Sequence, residues 1–201
     1  MSLTVGVTGH RPAGLGRIDK RLLELRVRET LDFLASSGAS GKGGGQAPRL
    51  LSPLAEGADR LVAHLALEEG WELVSILPFA RRDYERDFLT SDSRREFSRL
   101  LAKARDVREL GGVRQGPDGP EQAYAAVGAA VLEESDLLLA LWDGERARGR
   151  GGTGEVVDSA LAQGTPVIWI DARPPHRVVV LPARVSLEEW WRGRDEARDL
   201  R

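Results

Sequence analysis

The sequence predicts an α/β fold: a Rossmann-like, doubly wound and mostly parallel sheet of about six strands in one domain spanning 1–201. Three observations carry that prediction. Short apolar runs alternate with longer amphipathic ones along the chain, which is the pattern of βαβ units. Glycine-rich and polar clusters follow the apolar runs instead of preceding them, the side on which an open parallel sheet binds its ligands. The length of 201 residues, with 41% hydrophobic and 30% charged, suits one soluble domain with a substantial core.

The first strand is read at Leu3 to Val7, and the polar run "TGHRP" follows it. A helix comes next, because Leu23, Val27, Leu31 and Leu34 recur on one face. The glycine- and serine-rich stretch from Ser36 to Pro48 reads as a surface loop. Its Gly41-Lys42 is no P-loop: Ser36 stands where a glycine is required, Gly43 where Ser or Thr is required, and no strand precedes it. Arg49 to Ser52 forms the second strand and leads through "SPLAEGADR" into a helix carrying Ala58, Leu61, Val62 and Leu65. The third strand, Glu72 to Leu77, is followed by "PFARRDYERDF", a helix over Ser93 to Arg105, and a fourth strand at Asp106 to Leu110.

Turn residues fill Gly111 to Gln122, ahead of a helix marked by Tyr124, Val127 and Val131. The fifth strand, Leu137 to Leu141, ends in "WDGERARGRGGTGE". Asp136 precedes that strand, so it falls at the opposite edge as a structural residue. A helix beginning near Gly152 and carrying Val157, Ala160 and Leu161 leads to a sixth strand, Pro166 to Ile170. Residues 177–201 form a C-terminal extension whose closing helix opens on a Ser-x-x-Glu capping pattern, Ser186 to Glu189. Trp190 and Trp191 pack that helix onto the body or onto a second subunit.

Composition excludes several classes of chemistry. Without cysteine there are no disulfides, thiolate metal sites or thiol catalysis, and three histidines (His10, His64, His176) make a poor metal cage. A net charge of −2 gives no electrostatic case for nucleic acid as the main partner. The chain has no leader-like segment and no apolar run of membrane-spanning length, so a cytoplasmic protein with no membrane partner is expected.

The unusual chemistry gathers in four loops on one predicted edge. Thr8, Gly9, His10 and Arg11 follow the first strand; Ser52, Glu56, Gly57 and Asp59 follow the second. Arg81 and Arg82 follow the third and suit a phosphate, with Tyr84 available to a base face. Trp142 and Asp143 end the fifth strand, suited to stacking on a base and bonding a sugar. Gly151, Gly152, Thr153 and Gly154 then open a helix, where close backbone approach, free N–H groups and the dipole make an anion cradle. Glu155, in the first turn, is placed to meet a ribose hydroxyl, a base or a reacting water. Ordinary readings compete throughout: carboxylates at helix starts favour the dipole, the Arg-Asp-Arg run forms an exposed helix with ordinary ion pairs, and Trp142 belongs equally well in a core. Arg146, Arg148 and Arg150 either close over a polyphosphate or form a solvated flap.

The ordered motifs "GVTGHR", "LSPLAEGADRLVA", "LPFARRDYERDF", "LLALWDG" and "GGTGEVV" resemble the SLOG superfamily, from Thr4 to about Ile170. That superfamily includes the Lonely Guy phosphoribohydrolases, described as lysine decarboxylase-like, the DNA-processing protein DprA and nucleotide-sensing domains. The resemblance implies a Rossmann-like fold with a nucleotide or nucleotide-derived ligand at the strand ends, and a homodimer, since members often dimerise. The Lonely Guy motif Gly-Gly-x-Gly-Thr-x-Glu matches Gly149 to Glu155 and so puts Glu155 on the catalytic glutamate. Arg150 replaces a glycine, Arg148 replaces the preceding proline, and the helix before the fifth strand lacks the family's arginine.

Two functions follow. The first is binding of a nucleotide or nucleotide-derived small molecule, as a sensor domain. The second is N-glycosidic hydrolysis of a nucleoside 5′-monophosphate by Glu155, for which the motif match is incomplete. No cofactor is expected, although a polyphosphate ligand would carry its own Mg²⁺.

Overall fold

A computed structural model describes residues 2–12, 20–38, 46–116, 119–145, 151–174 and 176–199. Arg146, Arg148 and Arg150, and the Gly41-Lys42 pair, lie outside the described residues. The central strand is β1 (Thr4–Gly9), whose Val5 and Val7 face one side of the sheet while Gly6 faces the other against Val131 and Ser135. Beside β1 on one flank run β2 (Arg49–Ser52), β3 (Glu72–Leu77) and the edge strand β4 (Asp106–Glu109). On the other flank lie β5 (Leu137–Trp142), β6 (Val167–Asp171) and β7 (Val178–Leu181). All pair in parallel except β7, which runs antiparallel to β6.

The α/β, mostly parallel architecture predicted from the sequence is therefore the observed one, with a seventh strand added. Val178–Leu181 escapes sequence reading because it follows two prolines and alternates no polar residues. Its outer side is partly occupied by the chain itself, since the Val180 N–H donates to the Val185 carbonyl at 2.9 Å. Segment 177–201 is thus joined to the sheet through β7.

Helices cover both faces. α1 (Lys20–Gly38), α2 (Ala58–Glu68) and α4 (Ser91–Lys103) share one apolar cluster, to which Leu187 and Trp191 of α7 (Leu187–Asp199) also belong. The other face carries α5 (Gly119–Glu133) and α6 (Thr153–Gln163), whose Val127, Val131, Val156 and Ala160 pack on Leu51, Ile76, Leu138 and Ala140. The strands serve both faces by alternation: Leu137, Leu139 and Leu141 belong to the first cluster, Leu138 and Ala140 to the second. Each such leucine contributes about 1.5–3 kcal/mol on burial.

Local chemistry sets the element ends. Thr90 caps α4 by accepting from the Ser93 N–H, and the Ser186–Glu189 pair forms the reciprocal capping box predicted for α7. Trp191 meets Phe33 of α1 edge-on at 6.0 Å, fixing α7 to the body. Asp136 accepts from the Thr4 N–H at 2.8 Å at the edge remote from the polar loops. Within "ARRDYERDF" the Arg-Asp run forms a short helix, α3 (Arg81–Tyr84), as the exposed-helix reading expects, and the 3₁₀ turn Glu85–Asp87 follows it. Among the described residues no helix is long and apolar enough to cross a membrane.

Candidate functional site

The chain leaves β1 toward β2 on one flank and later enters β5 on the other, so β1 and β5 flank the topological switch point. There the helices divide to opposite faces, and a cleft of about 440 Å³ opens beyond the strand ends. Thr8, Gly9, His10 and Arg11 line it from β1; Trp142 and Asp143 line it from β5. Asp59 comes from α2, Tyr84 from α3, Tyr124 and Gly128 from α5, and Gly151 to Gly154 from the start of α6.

The glycine turn is built by close approach. Gly151 has φ +73°, and a Cβ there would lie 2.6 Å from Tyr124 Cβ and 2.8 Å from the Ala125 nitrogen. Gly152, as N-cap, has no side chain to accept from the first turn of α6, and Thr153 and Gly154, whose N–H groups have no intrahelical partner, line the cleft. The Glu155 carboxylate accepts the Gly151 N–H at 2.6 Å. It folds back onto its own helix end and does not line the cleft.

On the opposite wall, the start of α2 is fixed to the end of β1. The Ala58 N–H donates to the His10 carbonyl at 3.0 Å, and Gly57, at φ +98°, would put a Cβ 2.4 Å from that same oxygen. Asp59 is only 5% exposed and accepts from the Ala55 N–H at 3.2 Å. Burial pushes its carboxyl up to about 7, against the Ala55 N–H and the charges of Arg11 and Arg60. Burial likewise raises the Tyr84 hydroxyl, with Asp59 adding to the shift.

His10 Nε2 lies 3.0 Å from Asp143 Oδ1 and 3.2 Å from the Asp143 nitrogen, bridging the ends of β1 and β5. Against the burial that opposes it, the Glu145 N–H and then His10 hold the Asp143 carboxyl below its ordinary value. The Trp142 indole N–H donates to the Glu145 carbonyl at 2.8 Å, and its ring lies 6.0 Å from that of Trp169. Tyr124 donates its hydroxyl to Asp87, which Arg114 also holds at 2.8 Å. That bond and burial raise the Tyr124 hydroxyl, burial being the larger cause. Arg11 sits 5.9 Å from the Tyr124 ring centroid.

Of the residues predicted from sequence, twelve positions therefore meet around one cleft: Thr8, Gly9, His10, Arg11, Asp59, Tyr84, Trp142, Asp143 and Gly151 to Gly154. Others are directed elsewhere. Ser52 is fully buried and its hydroxyl accepts the Leu54 N–H at 3.0 Å. Glu56 accepts from the Ser93 hydroxyl of α4, and Gly57 serves the α2–β1 junction. Arg81 turns along the surface to Glu85 at 2.9 Å and Ser98 at 3.2 Å, and Arg82 is exposed outside the cleft.

The reading overlooked Tyr124 and Gly128. Their signal was a Tyr-x-x-x-Gly spacing that sets a ring above a gap on one helix face, and it was absorbed into the apolar stripe of α5. Among the described residues no group of three or more His, Asp or Glu is placed to hold a metal ion.

No family model matches this sequence, and no curated protein matches it. Solved structures do. DNA processing protein A (DprA) from Streptococcus pneumoniae aligns over 87% of this chain and 52% of its own, with 15% identity and a TM-score of 0.57. DprA from Helicobacter pylori aligns over 87% of this chain and 67% of its own, with 16% identity and a TM-score of 0.54. The chain shares its fold with these DprA structures. It spans about half the length of the Streptococcus protein, and at these identities the fold is what is shared. The Moco carrier protein from Chlamydomonas reinhardtii aligns over 87% of this chain and 79% of its own, with 18% identity and a TM-score of 0.47.

Proposed function

We propose that the cleft binds a nucleotide or nucleotide-derived small molecule through its phosphate. The observation that supports this reading is the glycine turn at the switch point. Thr153 and Gly154 offer N–H donors at the positive end of α6, inside a cleft that Arg11 also lines. The phosphate rests on that turn, and Trp142, Tyr84 and Tyr124 provide aromatic surface for a base.

Hydrolysis by Glu155 has less support, because its carboxylate is engaged by the Gly151 N–H. The related fold of Helicobacter pylori DprA, whose structure concerns single-stranded DNA binding, makes an oligonucleotide the natural competitor to a free nucleotide. A cleft of about 440 Å³ accommodates a single nucleotide unit.

The test is incubation of the protein with nucleoside mono-, di- and triphosphates and with a single-stranded oligonucleotide, followed by thermal shift and chromatography. A melting shift with a free nucleotide and no product is the expected result. Release of base from a monophosphate, abolished by Glu155→Gln, would replace it with the hydrolase. Silence toward every free nucleotide would sink the proposal.

A further inference from the structure

We infer that Asp59 holds the sugar hydroxyls of the bound ligand, making the cleft selective for ribosyl phosphates over their deoxy counterparts. The inference rests on the nucleotide reading above and adds which part of the ligand is discriminated. The cleft lining is divided by chemistry. Backbone donors gather at the start of α6, while the buried acceptor stands on the α2 wall with Arg11 beside it. Of the other carboxylates on the lining, Asp143 is engaged by His10 and by the Glu145 N–H, and Glu145 is exposed to solvent.

Asp59 is different because its surroundings undersupply it. A buried carboxylate needs several donors, and among the described residues the backbone gives it one N–H, from Ala55 at 3.2 Å. Of the Arg60 guanidinium beside it on the same helix, Nε donates to the Leu54 carbonyl at 3.0 Å and Nη1 to Ser93 and Glu96 of α4 at 2.8 to 3.0 Å, while the buried Nη2 makes no hydrogen bond, to Asp59 or to any other described group. Arg11 acts on it through charge from the β1 loop, and Tyr84 faces it from α3. A phosphate at this wall would repel the carboxylate. Sugar hydroxyls bring the donors it lacks, and an acid just beyond the second strand is where a doubly wound sheet meets a ribose.

Calorimetric titration decides the matter with AMP, GMP, CMP, UMP and ribose 5-phosphate, each beside its 2′-deoxy and available 3′-deoxy counterparts. The base-free sugar phosphate separates recognition of the sugar from recognition of the whole nucleotide. At pH 8.5, above the value near 7 to which burial pushes the Asp59 carboxyl, at least one deoxy counterpart should bind about tenfold or more weakly than its parent, as expected for a lost hydrogen bond to a charged group. Asp59→Asn should bind the parent about tenfold more weakly and lose the discrimination. The amide oxygen still accepts from Ala55, which favours a folded variant.

Equal binding of parent and deoxy compounds by the wild type overturns the inference while leaving phosphate recognition standing. Discrimination retained in Asp59→Asn overturns it equally. If that variant fails to fold, the wild-type comparison decides alone. If no compound binds, the nucleotide reading falls and this inference with it.

Discussion

Replacing Asp59 with asparagine should relieve the folded state of a cost that grows with pH. The carboxyl moves from an ordinary 3.8 to about 7, chiefly through burial, which corresponds to about 4 kcal/mol when both states are ionised. The sign follows from proton binding. The folded protein holds this proton more tightly than the unfolded chain, so Asp59 costs nothing below about pH 4. Its cost rises between about pH 4 and pH 7, by at most about 1.4 kcal/mol per pH unit, and is complete above pH 7. Urea unfolding of wild type and Asp59→Asn between pH 5 and pH 8.5 gives the comparison. The stability difference should move toward the variant by about 2–4 kcal/mol across that range. The Tyr84 hydroxyl, raised by burial and by Asp59, stays protonated over it and cancels between the proteins. A difference independent of pH would refute the argument, because it would mean that the carboxyl ionises as if it were in water.

Three further outcomes are expected. Gly151→Ala should destabilise the protein by about 2 kcal/mol or more and weaken phosphate binding at least tenfold, measured by denaturation and calorimetry, since φ +73° and contact with the α5 backbone leave its Cβ no room. Arg60→Lys should cost about 2–3 kcal/mol in a urea melt. An ammonium cannot reach Leu54, Ser93 and Glu96 together while covering the Phe88 ring, whose centroid lies 4.2 Å from the guanidinium. Trp191→Ala should cost about 3 kcal/mol and raise amide exchange first in α7, because the Phe33 contact anchors that helix.

Much of this arrangement is legible in the sequence because it is local. Apolar periodicity marks β1 to β6 and the longer helices, and Ser186 with Glu189 announces its own cap. The placement of polar loops after strands identifies the cleft edge, since strand direction alone carries a loop to one side. Side-chain direction is another matter. Glu56, Arg81 and Glu155 lie in the right loops, but Ser93, Glu85 and the Gly151 N–H draw them away from the cleft. Two of those partners lie four residues away in sequence, and Ser93, thirty-seven residues from Glu56, is brought near only by packing. Tyr124 shows the converse. Its helix spacing says only that it faces inward, and the Asp87–Arg114 network that steadies it comes from separate segments.

The two borders of the sheet bear on how copies of this chain could associate. At β7, the Val180 N–H is already bonded within the chain, which shortens any strip on which another strand could zip. At β4, three of the four residues are charged, and an antiparallel copy centred between Val107 and Arg108 would set Asp106 against Glu109. Like charges so opposed, and charged borders in general, discourage one sheet from continuing into the next. A homodimer of this chain is therefore expected to meet through helices, leaving each subunit's sheet separate.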